Sequence, residues 1–304
     1  MKLNYNKTVQ TLAGAVCACL LLTARADEIG DKGRAIFKQN QQAVVTVQLL
    51  VKSKVTMEGM GDRSNETKQE VTGTVLDPSG LTVLALSATD PGALIQSMFE
   101  GQDARIKMET EINDLKILLE DSTEVPAEIV LRDKDLDLAF VRPKAKPAQP
   151  LKAIDMSQAG KAEILDQVVT LNRLGAAAAR SYSASVERIS AIVQRPRLLY
   201  IPDTTMTTTT LGSPAFTLEG KPLGLFVIRA VKGSGAGNAL STQANNYASV
   251  ILPAADIMKA KTGRRMLTSA SFMACLPACR SQIPCPAPPP PSCFEIPLRH
   301  PAQP

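Results

Sequence analysis

Apolar residues fall in short runs broken by turn residues, and few stretches hold a helical period for long. Residues 43–51 read AVVTVQLLV, and residues 70–76 read EVTGTVL ahead of Asp77-Pro78-Ser79-Gly80. That tetrapeptide is a turn, because Pro fixes the first central φ and Gly accepts a positive one. The pattern resumes at 81–86, then at 105–108, 115–119, 127–131, 138–141, 168–171, 186–193, 198–201, 223–231 and 248–252. Short β-rich runs spaced by turns predict an all-β barrel or sandwich. Two short helices are expected, one in the polar stretch 27–42 and one at 253–260, PAADIMKA, with Pro at its start. A Pro-rich joint at 143–150 divides the strands into two groups of comparable size, about 36–150 and 151–262.

The two ends do not follow this pattern. Lys2 and Lys7 precede an apolar run at 11–22, and Ala24-Arg25-Ala26 offers small residues for cleavage. Residues 1–26 therefore read as an export signal, with cutting after Ala26. The apolar run is about 18 Å long as a helix, short of a bilayer core of about 30 Å. Contact with a membrane is expected only through this signal before cleavage, which makes the mature protein periplasmic or secreted. Residues 263–304 form a different tail, with ten of the chain's 21 prolines from Met266 onward and the cysteines Cys275, Cys279, Cys285 and Cys293. Such proline density excludes helix and central strand. In an oxidising compartment the four cysteines allow three disulfide pairings, and their spacing fits no familiar zinc knuckle.

Composition narrows the chemistry. The chain has 304 residues, 44% hydrophobic and 21% charged, which is enough for a large folded core. The formal net charge of +5 falls to +2 once Lys2, Lys7 and Arg25 leave with the signal. That balance is not a nucleic-acid footprint. Trp is absent and aromatics are 4%, which argues against stacking platforms. The single histidine, His300, lies four residues from the end, so no multi-histidine metal site exists and no cofactor is expected.

Four stretches then align, in order, with one pattern. They are VTGTVLDPSGLTVLALSAT at 71–89, LRDKDLDLAFVRP at 131–143, LGSPAFTLEGKPLGLFVI at 211–228 and YASVILPAADIMKA at 247–260. Together they resemble the protease domain of trypsin-like serine proteases of the HtrA (Deg) type, over about residues 36–262. The resemblance implies two packed antiparallel six-stranded β-barrels with a short C-terminal helix. It also implies where the catalytic groups would lie. Ser87 falls on the family's histidine, Asp137 on its aspartate, and Leu211 on its nucleophilic serine. Thr209, Thr210 and Gly212 fall on the oxyanion loop, and Ser213 is an alternative nucleophile two residues on. In the family this loop reads Gly-Asn-Ser-Gly-Gly-Pro.

The departures have chemical consequences. A serine nucleophile needs a base within about 2.6–3.2 Å to take its proton, and serine at 87 is no such base near neutral pH. Leu211 has no nucleophilic atom. Thr209 resists a loop conformation that glycine adopts freely. Ser213 reads as a small residue in a tight turn before Pro214, His300 as a stray terminal residue, and Asp137 as a carboxylate pinning a strand end. The leading expectation is an exported, catalytically inactive protease-like protein that binds a peptide or protein ligand. The alternatives are a serine-type endopeptidase with a non-standard arrangement and a structural β-protein of the envelope.

Overall fold

The computed structural model describes residues 28–57, 61–90, 106–203, 210–230 and 247–263. The stretch 1–26 expected to be an export signal, Thr209, His300 and the four tail cysteines lie outside the described residues.

Twelve strands form two closed antiparallel barrels of six. The first holds β1 (Val44–Met57), β2 (Gly61–Val75), β3 (Thr82–Ala85), β4 (Ile106–Leu118), β5 (Glu124–Asp133) and β6 (Leu138–Pro143). Its strand order is β1-β2-β3-β6-β5-β4. The second holds β7 (Gln167–Arg173), β8 (Tyr182–Val193), β9 (Leu199–Pro202), β10 (Pro214–Thr217), β11 (Pro222–Ala230) and β12 (Tyr247–Pro253). It closes in the order β10-β11-β12-β9-β8-β7. Helix α1 (Glu28–Asn40) precedes the first barrel and α2 (Ala254–Gly263) follows the second. The expected double-barrel architecture with a short C-terminal helix is therefore present.

Several element bounds differ from the sequence reading, for physical reasons. The runs 105–108 and 115–119 belong to one strand, β4, because both pair with β1 around a register shift at Leu50/Val51. Strands β1 and β2 continue through polar residues to the Met57–Gly61 pair, where pairing rather than apolar content sustains them. Strand β10 had no counterpart in the apolar pattern. Its four residues are all buried between β7 and β11. Pro253 closes β12 rather than opening the helix, which starts at Ala254.

The Asp77–Gly80 turn works as its residues require. Asp77 Oδ1 accepts the Ser79 N–H at 3.1 Å, the Gly80 N–H reaches Asp77 O at 3.0 Å, and Gly80 has φ +89°. Each strand of the second barrel sends at least one buried apolar side chain to a shared cluster: Val168, Ile189, Tyr200, Ala215, Phe226 and Ile251. This is the barrel lumen, since the one cluster draws on all six strands. Burying one of its large side chains is worth about 1.5–3 kcal/mol.

Glu187 lies two residues before Ile189 on β8 and is only 7% exposed. Its Oε1 accepts the Ser185 hydroxyl at 2.9 Å, while its buried Oε2 has the Thr170 hydroxyl nearby but, among the described residues, no hydrogen bond of good geometry. Burial pushes the Glu187 pKa up, with Asp203 adding to the shift and the Ser185 and Thr170 hydroxyls opposing it. The folded state thus keeps a proton that the unfolded chain releases near 4.5, so stability falls as pH rises from there through the folded value. Glu187→Gln is expected to be about 1 kcal/mol more stable than wild type at neutral pH. The gap should close below roughly pH 4, where both states of Glu187 are protonated. Thermal melts of the two proteins across pH test this, and a gap independent of pH would remove the carboxylate as its cause.

Candidate functional site

The site is built where the two barrels meet. A short 3₁₀ turn, Leu86–Ala88, follows β3 and carries Ser87. Asp137 precedes β6 and is held at φ +57°, a left-handed conformation that aspartate tolerates better than most residues. The Leu86 N–H bonds to Asp137 O at 2.9 Å, which ties the turn to the start of β6.

Asp137 is 9% exposed, and its carboxylate accepts three hydrogen bonds. Oδ1 takes the Ser87 N–H at 2.7 Å. Oδ2 takes the Ser87 hydroxyl at 2.8 Å and the Ile228 N–H, from β11 of the other barrel, at 2.9 Å. Burial pushes the Asp137 pKa up from its ordinary value, opposed by these three bonds and by the charge of Arg229. The Ser87 hydroxyl therefore has an acceptor, but that acceptor is a carboxylate. An ordinary carboxylate is a far weaker base than an imidazole.

The loop before β10 is committed elsewhere. Leu211 is 3% exposed and belongs to the apolar cluster that spans both barrels. Gly212 has φ +85° and sits against β2, where an added Cβ would lie 2.2 Å from Thr72 O. Its N–H bonds to Phe226 O at 2.9 Å, and its carbonyl accepts the Thr74 hydroxyl at 2.9 Å. The Ser213 N–H bonds to Thr210 O at 3.1 Å. The N–H groups of Gly212 and Ser213 are thus both spent on backbone carbonyls. Ser213 is 0% exposed, and its hydroxyl donates to Asn172 Oδ1 at 3.3 Å. Among the described residues, no acceptor of an imidazole or amine kind is bonded to it.

The structure therefore brings Ser87 and Asp137 into direct contact. It sets Gly212 against Thr72, with Ala85 N within 3.5 Å of its would-be Cβ, two residues from Ser87. Other residues escaped the sequence reading. Asn172 Oδ1 also accepts the Thr72 hydroxyl, at 2.9 Å across the barrels. Arg173 is buried and donates to Leu118 O and Leu119 O at 2.8 Å each, with its charge over the Tyr182 ring. Arg229 donates from Nη1 to Asp135 O, and its buried Nε and Nη2 have no hydrogen-bond partner among the described residues. The available signal was Asn172-Arg173 closing the apolar run QVVTLNR, two polar residues where a strand enters a barrel contact.

Among the described residues no group of three or more His, Cys, Asp or Glu side chains is arranged to hold a metal ion. A family model described as a trypsin-like peptidase domain matches residues 71–225, just over half of the 304 residues. No curated protein compared with the chain matches it.

Proposed function

The chain belongs to the trypsin-like peptidase domain family, and we propose that it is an exported, HtrA-like member that has lost hydrolysis and works by binding a peptide or protein. The observation that carries this reading is the Ser87–Asp137 pair. A hydroxyl occupies the position where the family resemblance places an imidazole, and it donates to the carboxylate at 2.8 Å. Acyl transfer needs a base near neutral pH, a nucleophile and two convergent N–H donors. Leu211 supplies no nucleophile, and Thr209 stands where the family resemblance places a glycine of the oxyanion loop. The export signal at 1–26 supports a periplasmic or secreted location. The fold alone imposes no chemistry, so the remaining cleft is read as a binding surface.

One second reading has an observation behind it. Because the Ser87 hydroxyl is within hydrogen-bond reach of a carboxylate, a serine endopeptidase with a non-standard arrangement would use Ser87 or, less accessibly, Ser213. Mature protein purified from the periplasm or the medium, starting at Asp27, separates the two readings. Incubated with an unstructured protein substrate, it should bind without producing fragments, and Ser87→Ala and Ser213→Ala should behave the same. Steady cleavage by wild type that either substitution abolishes would establish the endopeptidase reading instead.

A further inference from the structure

We infer that the groove between the β4–β5 turn and the linker that joins the barrels docks a peptide segment of a partner protein, one carrying an apolar side chain beside a lysine or arginine. The groove shares no residue with the Ser87–Asp137 pair or the Gly212 loop. The inference therefore goes beyond the cleft and holds whatever the cleft does.

The groove is an open cavity of about 720 Å³, within the size range of ligand sites. Its floor is apolar, made by Val45 of β1, Leu119 after β4, Val125 of β5 and Leu151 of the linker. Val45 is buried, and the other three are half-buried, with one side packed on the main apolar cluster. Their open sides leave room for a further apolar side chain, which leaves water on entering.

The walls are set before any ligand arrives, which lowers the cost of binding. On one side the Leu119 N–H bonds to Thr123 O at 3.0 Å, the Ser122 N–H to Leu119 O at 3.2 Å, and the Thr123 N–H to Asp121 Oδ1 at 3.0 Å. On the other side the linker is pinned at both ends. The Lys144 N–H bonds to Pro126 O at 2.9 Å and the Leu151 N–H to Pro78 O at 3.1 Å. Between these pins Pro147, Ala148, Gln149 and Pro150 line the groove. The prolines have no N–H. Among the described residues, the N–H groups of Ala148 and Gln149 bond to no backbone carbonyl. They remain open to the carbonyls of an incoming peptide backbone, a partner that an apolar small molecule does not supply.

Charge at the rim sets the sign of the partner. Glu120 and Asp121 line the groove side by side and are exposed. Glu120 Oε2 accepts a neutral donor, Gln42 Nε2, at 2.9 Å. Among the described residues neither carboxylate is in an ion pair. Lys152, on the linker, is the one cation in the lining. Arg173 lies behind the turn, buried on Leu118 O and Leu119 O, and does not reach the groove surface. The turn side therefore presents two adjacent negative charges to whatever enters. Exposed ion pairs are individually weak, so the floor carries the affinity and the carboxylates choose the partner.

The test selects decapeptides from a random phage-displayed library on the full-length mature protein. Synthetic, fluorescein-labelled copies are then measured by anisotropy. Selected peptides should carry Leu, Ile, Val or Met beside Lys or Arg. Replacing the apolar residue by serine should weaken binding about ten- to a hundredfold. Replacing the basic residue by glutamate should weaken it about fivefold, an effect that shrinks at high salt. Ala148→Arg places a long side chain in the groove from an exposed linker position. It should abolish binding and leave thermal unfolding unchanged. Glu120→Lys, at a second exposed position, should erase the preference for the basic residue. A selection that yields only peptides indifferent to Ala148→Arg would overturn the inference and leave the cleft reading standing. Groove-dependent peptides that are acidic would overturn it too. So would a wild-type dimer in sedimentation that Ala148→Arg splits, which gives the groove to a second copy. A synthetic copy of residues 264–280 that displaces the selected peptides better than they displace themselves would give it to the chain's own C-terminal segment, and would also overturn it.

Discussion

Gly212→Ala is expected to destabilise the protein by more than about 3 kcal/mol, from a left-handed backbone position and an overpacked contact together. The glycine sits at φ +85°, and an alanine Cβ would lie 2.2 Å from Thr72 O. That oxygen belongs to the backbone of β2 and has no rotamer by which to move aside. Relief requires the loop to lift from β2, which strains the Thr74 hydroxyl bond to Gly212 O and the Gly212 N–H bond to Phe226 O. Gly175→Ala is the control, because its Cβ would meet nothing within 4 Å and its φ is −72°. Urea unfolding of the two variants should therefore give very different midpoints. A loss at Gly212 below about 1 kcal/mol, no more than backbone conformation alone explains, would show that the barrels part here at little cost.

Asp137→Ala is expected to cost about 3 kcal/mol or more, because it leaves the N–H groups of Ser87 and Ile228 without their acceptor inside a contact between barrels. The Ser87 hydroxyl loses its acceptor as well. Asp137→Asn should fall between alanine and wild type, since the carboxamide keeps one acceptor oxygen but turns an NH₂ group toward donors. The loss should appear in equilibrium unfolding. An aspartate kept only for catalysis would instead show its effect in a reaction rate. If Asp137→Ala unfolds at the wild-type denaturant concentration, the carboxylate does not hold the barrels together.

The all-β class was legible because strands such as β6 and β12 carry short apolar runs between recognisable turns, while the division into two six-stranded barrels was legible only through the family resemblance. The lengths of β1 and β2 were not legible. From Lys52 and from Gly61 they run mostly through charged and polar residues, and strand pairing, of β1 with β2 and of β1 with β4, keeps them extended. Strand β10 was hidden because four residues are too few to show a period. At the site, Ser87, Asp137, Gly212 and Ser213 stood out only through the family resemblance, which attaches a role to each position. Asn172, Arg173 and Arg229 have no such signature. Their roles depend on partners at 72, 118, 119 and 135, and a linear pattern does not show which distant carbonyl or hydroxyl a strand will meet. Leu211 was legible as the residue at the position that the resemblance gives to the nucleophile. Its share in the apolar cluster spanning both barrels was not.

The hydrogen bonds that shape the cleft also set the order in which it can come into being. Thr72 meets Asn172 across 100 residues, Ile228 meets Asp137 across 91, and Thr74 meets Gly212 across 138. All strands of the first barrel, by contrast, lie within residues 44–143. A chain synthesised from its N-terminus presents the first barrel complete before β7 has left the ribosome. At that moment Thr72, Thr74 and Asp137 exist without the partners that give the cleft its form. The contact between the barrels is complete only once Ile228 has been made. A nascent or truncated chain holding only the first barrel has one wall of the cleft and nothing to close it.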